Sequence, residues 1–217
     1  ADRDKFLTLP QLEKELTLRF DRKGKEVDMT LKPVSTGALK TLLYDRWITE
    51  NRHIVDSLSG GRVAYVYMKD MGTQRLEKFL IDMTGIALGK EALILDIRNN
   101  RGGNVHDDVI KFLSQRPYLE WQARNGQRSP QPNFAPSGGP IILMVNEQSL
   151  SDAEMTAAAF RQLKLGTIVG TETYRWIIFT SGRMLVDGSS TRLPAWGCYD
   201  LQGNDLEKTG VKPDIYV

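Results

Sequence analysis

The sequence predicts an α/β protein with a layered core, and three observations carry that expectation. Short apolar runs, too short for most helices, read as buried strands; helix-like stretches lie between them; and the connections are mostly short. At 217 residues and 41% hydrophobic content the chain can build one full core and an appendage. A net charge of +2 and the lack of a Lys/Arg block argue against nucleic acid or a membrane surface as partner. No apolar stretch approaches membrane-spanning length. The single cysteine, Cys198, excludes an intrachain disulfide and a cysteine-based zinc site, and assigns neither a periplasmic nor a cytoplasmic location.

The elements follow in order. Residues 9–15 read as a helix. Leu16, Leu18 and Phe20 alternate, residues 21–25 form a turn, and Val27, Met29 and Leu31 alternate again, which predicts a hairpin with one apolar face. Such a hairpin is marginal alone and needs something to pack on. Residues 39–57 form a helix that carries His53, followed by a Ser59-Gly60-Gly61 turn. Residues 62–68 are a strand and 74–83 a helix packed on it. Ala92–Asp96 is the next strand, then a Gly102-Gly103 turn and an amphipathic helix to Leu113. Residues 127–140, with four prolines and Gly138-Gly139, predict an extended loop. The strand Ile141–Val145, a helix over 152–163, a strand over 167–170 and an antiparallel tail from Ile177 complete the chain.

The most informative stretch is 141–154. A buried strand stops at Asn146, two serines follow, and a helix opens with small residues, which places Ser151 at a helix N-terminus. Amides there lack intrahelical partners, and the macrodipole adds partial positive charge. A hydroxyl at that point can attack a carbonyl while neighbouring N–H groups receive the oxyanion. Ser151-Asp-Ala-Glu154 equally fits a capping box, the commoner use of a serine in this setting. Gly102-Gly103 either exposes backbone N–H groups to a ligand or makes an ordinary turn. Glu207 either orients a catalytic group or is a solvated carboxylate.

Taken together and in this order, the segments resemble the S41 peptidases, the group of tail-specific (C-terminal processing) proteases and the tricorn protease. Asp96 to Gly103 reproduces an Asp-x-Arg-x-Asn-x-Gly-Gly signature, and Asn146 to Ser151 an Asn-x-x-Ser-x-Ser turn. The resemblance covers about residues 40–217 and implies a layered α/β core of crotonase/ClpP-like type. It further implies Ser151 as nucleophile, with an oxyanion hole from the N–H groups of Asp152 and Gly103, or Gly102 if the register moves by one. Tail-specific proteases carry a lysine base in Gly-x-x-Thr-x-Gly-Lys; here Gly170 to Trp176 puts an indole at that place, which excludes a Ser–Lys dyad from this segment. Leu206-Glu-Lys-Thr-Gly-Val-Lys-Pro-Asp214 and Ser151-Asp152 look tricorn-like, and that likeness puts Glu207 in a catalytic tetrad. Arg175 and Trp176 replace two glycines of the family pattern, and they either line the substrate groove or fill it.

A tricorn-type general base is a histidine in a Ser-His pair, and this sequence has none; its two histidines are His53 and His106. His53 reads as a surface or packing residue, and His106 is a weak candidate base. The expectation is therefore a fragment: residues 1–36 the end of a PDZ-like domain, residues 37–217 the peptidase core, and the histidine upstream. The implied activity is serine-type hydrolysis of peptide bonds in unfolded chains or oligopeptides, with no metal and no cofactor, and with homo-oligomers formed through the longer parent. Two other readings stay open: an inactive peptide-binding or scaffold domain of the same fold, and an acyl-handling enzyme of the crotonase-like acyl-CoA group.

Overall fold

Alternation near the N-terminal end closes into a hairpin. Strand β1 (Leu16–Arg22) pairs antiparallel with β2 (Lys25–Leu31), with Leu18 opposite Met29 and Phe20 opposite Val27. Lys23 and Gly24 turn the chain with φ of 56° and 77°, the positive pair that a two-residue hairpin turn requires. The Gly24 N–H donates to Asp21 Oδ1 at 2.7 Å. Helix α1 (Thr36–Ser59) follows, opened by Ser35, whose hydroxyl accepts from the Ala38 N–H at 3.1 Å. The computed structural model describes residues 14–133, 136 and 139–217. The helix expected over 9–15 therefore lies outside the described residues, apart from 14 and 15, which are not helical. The chain divides into two compact units, 1–50 and 51–217, so the boundary falls within α1.

In the second unit β3 (Val63–Tyr67), α2 (Thr73–Thr84), β4 (Ala92–Asp96) and α3 (His106–Leu113) alternate as expected. A hairpin of β5 (Leu119–Gln122) and β6 (Arg128–Gln131) intervenes before β7 (Ile141–Val145), α4 (Asp152–Gln162) and β8 (Thr167–Gly170). A second hairpin, β9 (Phe179–Met184) and β10 (Ser190–Trp196), then a short α5 (Leu206–Thr209) and β11 (Ile215–Tyr216) end the chain. One five-stranded sheet runs β11-β8-β7-β4-β3, and every pairing in it is parallel. Parallel neighbours need a crossover of a dozen or more residues, and α2 and α4 supply two of them. Strands covered on both faces read as near-continuous apolar runs, as Ile141–Val145 does. Val66, Leu95, Leu143 and Ile168, on four neighbouring strands, have no solvent exposure, and the core continues through Phe79, Phe112 and Phe160.

Two expectations need correction. The loop expected over 127–140 begins as strand β6, with Pro130 opposite Glu120; a two-stranded ribbon has only edge strands, where proline is tolerated. The C-terminal tail is antiparallel only through β9 and β10. Its last strand joins the main sheet parallel to β8, drawn there by Asp214, whose Oδ2 accepts from the Ile168 N–H at 2.8 Å while its own N–H donates to Ile168 O at 2.8 Å. Among the described residues no helix is long and apolar enough to cross a membrane.

Phe160, fully buried on α4, and Leu58, 85% exposed at the end of α1, make a paired test of where stability resides. Phe160→Ala is expected to cost about 3–5 kcal/mol by chemical denaturation. Leu58→Ala should stay within about 0.5 kcal/mol.

Candidate active site

Strands β4 and β7 are parallel neighbours with Asp96 in register with Met144, so the loops leaving their C-terminal ends emerge side by side. In open parallel sheets that is where ligands bind. The first loop is folded on Asp96, a fully buried carboxylate. Its oxygens accept from the Arg98 N–H (2.9 Å), from Arg98 Nη2 (2.6 Å) and from the Tyr65 hydroxyl (2.7 Å). Asp96 holds the Arg98 guanidinium above its ordinary pKa, and burial together with Asp96 pushes the Tyr65 phenol up. The Asp-x-Arg pair is thus a structural clamp. Asn100, also fully buried, donates to Met68 O (2.8 Å) and accepts from the Gly102 N–H (2.9 Å).

The second loop is stitched to the first. The Asn99 N–H donates to Asn146 Oδ1 (2.9 Å), the Ser149 hydroxyl to Ile97 O (2.8 Å), and the Leu150 N–H to Asn100 O (3.0 Å). Ser151 follows with φ 56° and ψ −119°. A capping serine ordinarily sits in the β region. Ser151 instead has the strained strand-to-helix geometry of a nucleophile elbow, a conformation that costs about 1–3 kcal/mol and persists only when its surroundings hold it.

Glu154 does the holding. It is fully buried, and its Oε2 accepts from the Ser151 N–H (3.0 Å) and the Trp176 N–H (2.8 Å). Its Oε1 accepts from the Thr173 hydroxyl (2.6 Å) and the Arg175 N–H (2.7 Å). The half of a capping box legible in Ser151-x-x-Glu154 is therefore present, and the same carboxylate also fixes the segment 173–176.

Gly102 and Gly103 lie against this turn. A methyl group on Gly102 would sit 2.7 Å from Ser151 Cβ, and one on Gly103 would sit 2.0 Å from Met71 O. Only glycine permits either approach. The Gly102 N–H is already given to Asn100, whereas among the described residues neither the Gly103 N–H nor the Asp152 N–H meets an acceptor. The Asp152 carboxylate, almost fully buried, ties the two loops together: Oδ2 accepts from the N–H groups of Val105 (2.8 Å) and His106 (3.0 Å) at the start of α3. His106 Nδ1 lies 2.5 Å from Asp152 Oδ1, and this bond holds the imidazole above its usual pKa. His106, weighed above as a base, is thus bonded through Nδ1 to Asp152, and its Nε2 lies 3.4 Å from Asp107 Oδ1. His53 is an exposed residue of α1.

A cleft of about 530 Å³ opens at Ser151, with Trp176 and Ile178 on one wall and β10 on another. Trp176 lines it; the Arg175 guanidinium instead pairs with Glu172, Nη2 to Oε1 at 2.8 Å. Glu207 is an exposed residue in the first turn of α5. That helix runs into Gly210 and Val211, and the Val211 N–H donates to the Thr173 hydroxyl at 2.8 Å, so the C-terminal segment packs on the strip that Glu154 holds. Cys198 is half-buried and burial raises its thiol pKa, the opposite of an activated thiol. Sequence reading missed Glu154 beyond its capping role, and missed Arg101 and Arg192 of the cleft; a lone arginine in a glycine turn or a strand carries no pattern that marks it.

Because folding raises the His106 pKa above the usual value near 6.5, its stabilisation is complete below that value and is lost as pH rises through the folded pKa. The stability gap between wild type and His106→Gln, measured by denaturation, should therefore be largest near pH 5.5 and shrink toward pH 9. Glu154→Gln leaves one oxygen for four donors and is expected to cost roughly 2–4 kcal/mol.

Comparison with known proteins gives a consistent picture. The profile described as Peptidase family S41 matches residues 62–217. Tricorn protease homolog 1 of Streptomyces coelicolor is 31% identical over 208 residues, which cover 89% of this chain and 19% of that protein. The tricorn protease of Thermoplasma acidophilum is 31% identical over 176 residues, 80% of this chain and 16% of that protein. A crystal structure of the tricorn protease superposes with a TM-score of 0.81 at 27% identity, covering 95% of this chain and 20% of that one. A photosystem II D1 C-terminal processing protease superposes at 0.59, with 26% identity over 71% of this chain and 42% of the other. The chain thus spans less than a quarter of the tricorn relatives it matches.

Proposed function

The chain belongs to peptidase family S41, and from that premise we propose that it is the core of a serine peptidase acting on peptide bonds of oligopeptides or unfolded chains. The observation that carries this reading is the conformation of Ser151, held at positive φ against a glycine turn whose Gly103 N–H, like the Asp152 N–H, faces no acceptor. Ser151 Oγ attacks the scissile carbonyl carbon. The carbonyl oxygen becomes an oxyanion received by the N–H groups of Gly103 and Asp152. A base accepts the hydroxyl proton and returns it to the leaving amine, and water then hydrolyses the acyl-enzyme by the same steps in reverse order.

The base is the missing part. Support for a base from elsewhere comes from the partners of the two histidines: His106 has Nδ1 on Asp152 and Nε2 3.4 Å from Asp107 Oδ1, and His53 is an exposed helix residue. The reading assigns the base to a histidine outside residues 1–217, upstream in the parent, with Glu207 orienting it. The hairpin of β1 and β2 supports reading residues 1–36 as the end of a PDZ-like domain. The same surroundings of the two histidines favour a second reading, a peptide-binding domain that keeps the fold without turnover.

A fluorophosphonate probe with intact-mass detection separates the two. The protein extended upstream by its native sequence should gain one adduct, and Ser151→Ala should gain none. Against peptide substrates, Ser151→Ala should lower kcat by about 10⁴-fold or more. An extended protein that stays unlabelled would establish the binding domain instead.

A further inference from the structure

The cleft at Ser151 is cationic, and nothing in it neutralises the charge. Its lining includes two guanidinium groups, Arg101 and Arg192, and no Asp or Glu. Arg101 directly precedes the Gly102-Gly103 turn and is exposed. Arg192 lies on β10, and its Nε (2.9 Å) and Nη2 (2.6 Å) both donate to Thr180 Oγ1. A neutral hydroxyl orients that guanidinium without offsetting its charge. Other arginines of the two loops and the 173–176 strip are compensated: Arg98 by Asp96 and Arg175 by Glu172. Among the described residues, Arg101 and Arg192 make no ion pair.

Beside Gly103, Ser151 and Thr180, the lining has an apolar part from Leu150, Trp176, Ile178 and Pro194. A wall of that kind accepts methylene groups, and a guanidinium fork matches a carboxylate in two parallel hydrogen bonds. Two side chains combine a short apolar stem with a carboxylate, and glutamate has the longer stem. We propose, resting on the reading of Ser151 as nucleophile, that the cleft selects peptides with an acidic side chain, glutamate above all, beside the scissile bond, and that Arg101 and Arg192 receive its carboxylate. The same two charges work against lysine or arginine at that position, since a like charge placed there would meet two cations.

The test uses the full-length protein carrying Ser151→Ala and four fluorescent octapeptides read by polarisation. Three are acetylated and amidated and differ only in a central Glu, Gln or Lys; the fourth has the central Gln and a free C-terminal carboxylate. The Glu peptide should bind about tenfold more tightly than Gln, and Lys more weakly than Gln. Adding Arg101→Met and Arg192→Met should abolish the Glu-over-Gln preference while Gln binding persists, which also shows that the variant is folded. Adding Arg101→Glu and Arg192→Glu should invert the preference toward Lys. Equal binding of Glu and Gln, tightest binding by the free C-terminal carboxylate, or no binding by any peptide would each overturn the proposal. Fluorophosphonate labelling of the protein with Ser151 intact is run alongside: Glu selectivity without labelling would sink the peptidase reading and leave the carboxylate subsite standing.

Discussion

Glu154 accepts hydrogen bonds from Ser151, Thr173, Arg175 and Trp176 while having no exposure to solvent, and the geometry around Ser151 depends on it. A buried carboxylate is costly unless its lone pairs are filled, and four donors fill them here. The exchange works in both directions. The donors keep the carboxylate satisfied, and the carboxylate holds the backbone of two separate segments in conformations they would not adopt alone. Ser151 at φ 56° and Arg175 at φ 70° are both non-glycine residues in the left-handed half of backbone space, and the N–H of each is bonded to the same side chain. Strain at the site is thus offset by one group.

Asp152 serves in two ways through two different parts of the residue. Its backbone N–H has no acceptor among the described residues, and its carboxylate is bonded to the N-terminus of α3 and the His106 ring. Negative charge at a helix N-terminus is favourable, and here it also locks the glycine loop to the serine turn. The two N–H groups that the proposed mechanism gives to the oxyanion come from Gly103 on one loop and Asp152 on the other. Their spacing therefore rests on this carboxylate rather than on either loop alone. Preorganised donors of that kind need no rearrangement at the moment of reaction, which is the source of their effect.

The legible and illegible parts of the site differ in their reach along the chain. The strands were legible because burial on both faces forces consecutive apolar residues, as in Ile141–Val145. The family was legible because three ordered motifs each have local spacing. Ser151-x-x-Glu154 was legible only as a capping box, since that relation spans three residues. The partners that give Glu154 its larger role lie 19 to 22 residues away, on a segment with no periodic pattern. His106 illustrates the same limit: its nearness in sequence to the glycine turn left its direction open, and its bond to Asp152 crosses 46 residues.

By itself, then, the sequence determined the α/β layering, the order of the main strands and helices and the family, because each follows from local periodicity or from motifs read along the chain. It also determined that Trp176 stands where a lysine base would be, since residue identity alone excludes proton transfer to an indole. Tertiary structure alone decided that Glu154 ties the serine turn to the 173–176 strip and that the Gly102 N–H is spent on Asn100 while the Gly103 N–H is left open. It decided too that Arg101 and Arg192 share one cleft. These depend on which loops the parallel register of β4 and β7 brings side by side and on where a C-terminal hairpin packs. Such contacts are made between residues far apart in the chain, and side-chain direction and solvent exclusion exist only once they are formed.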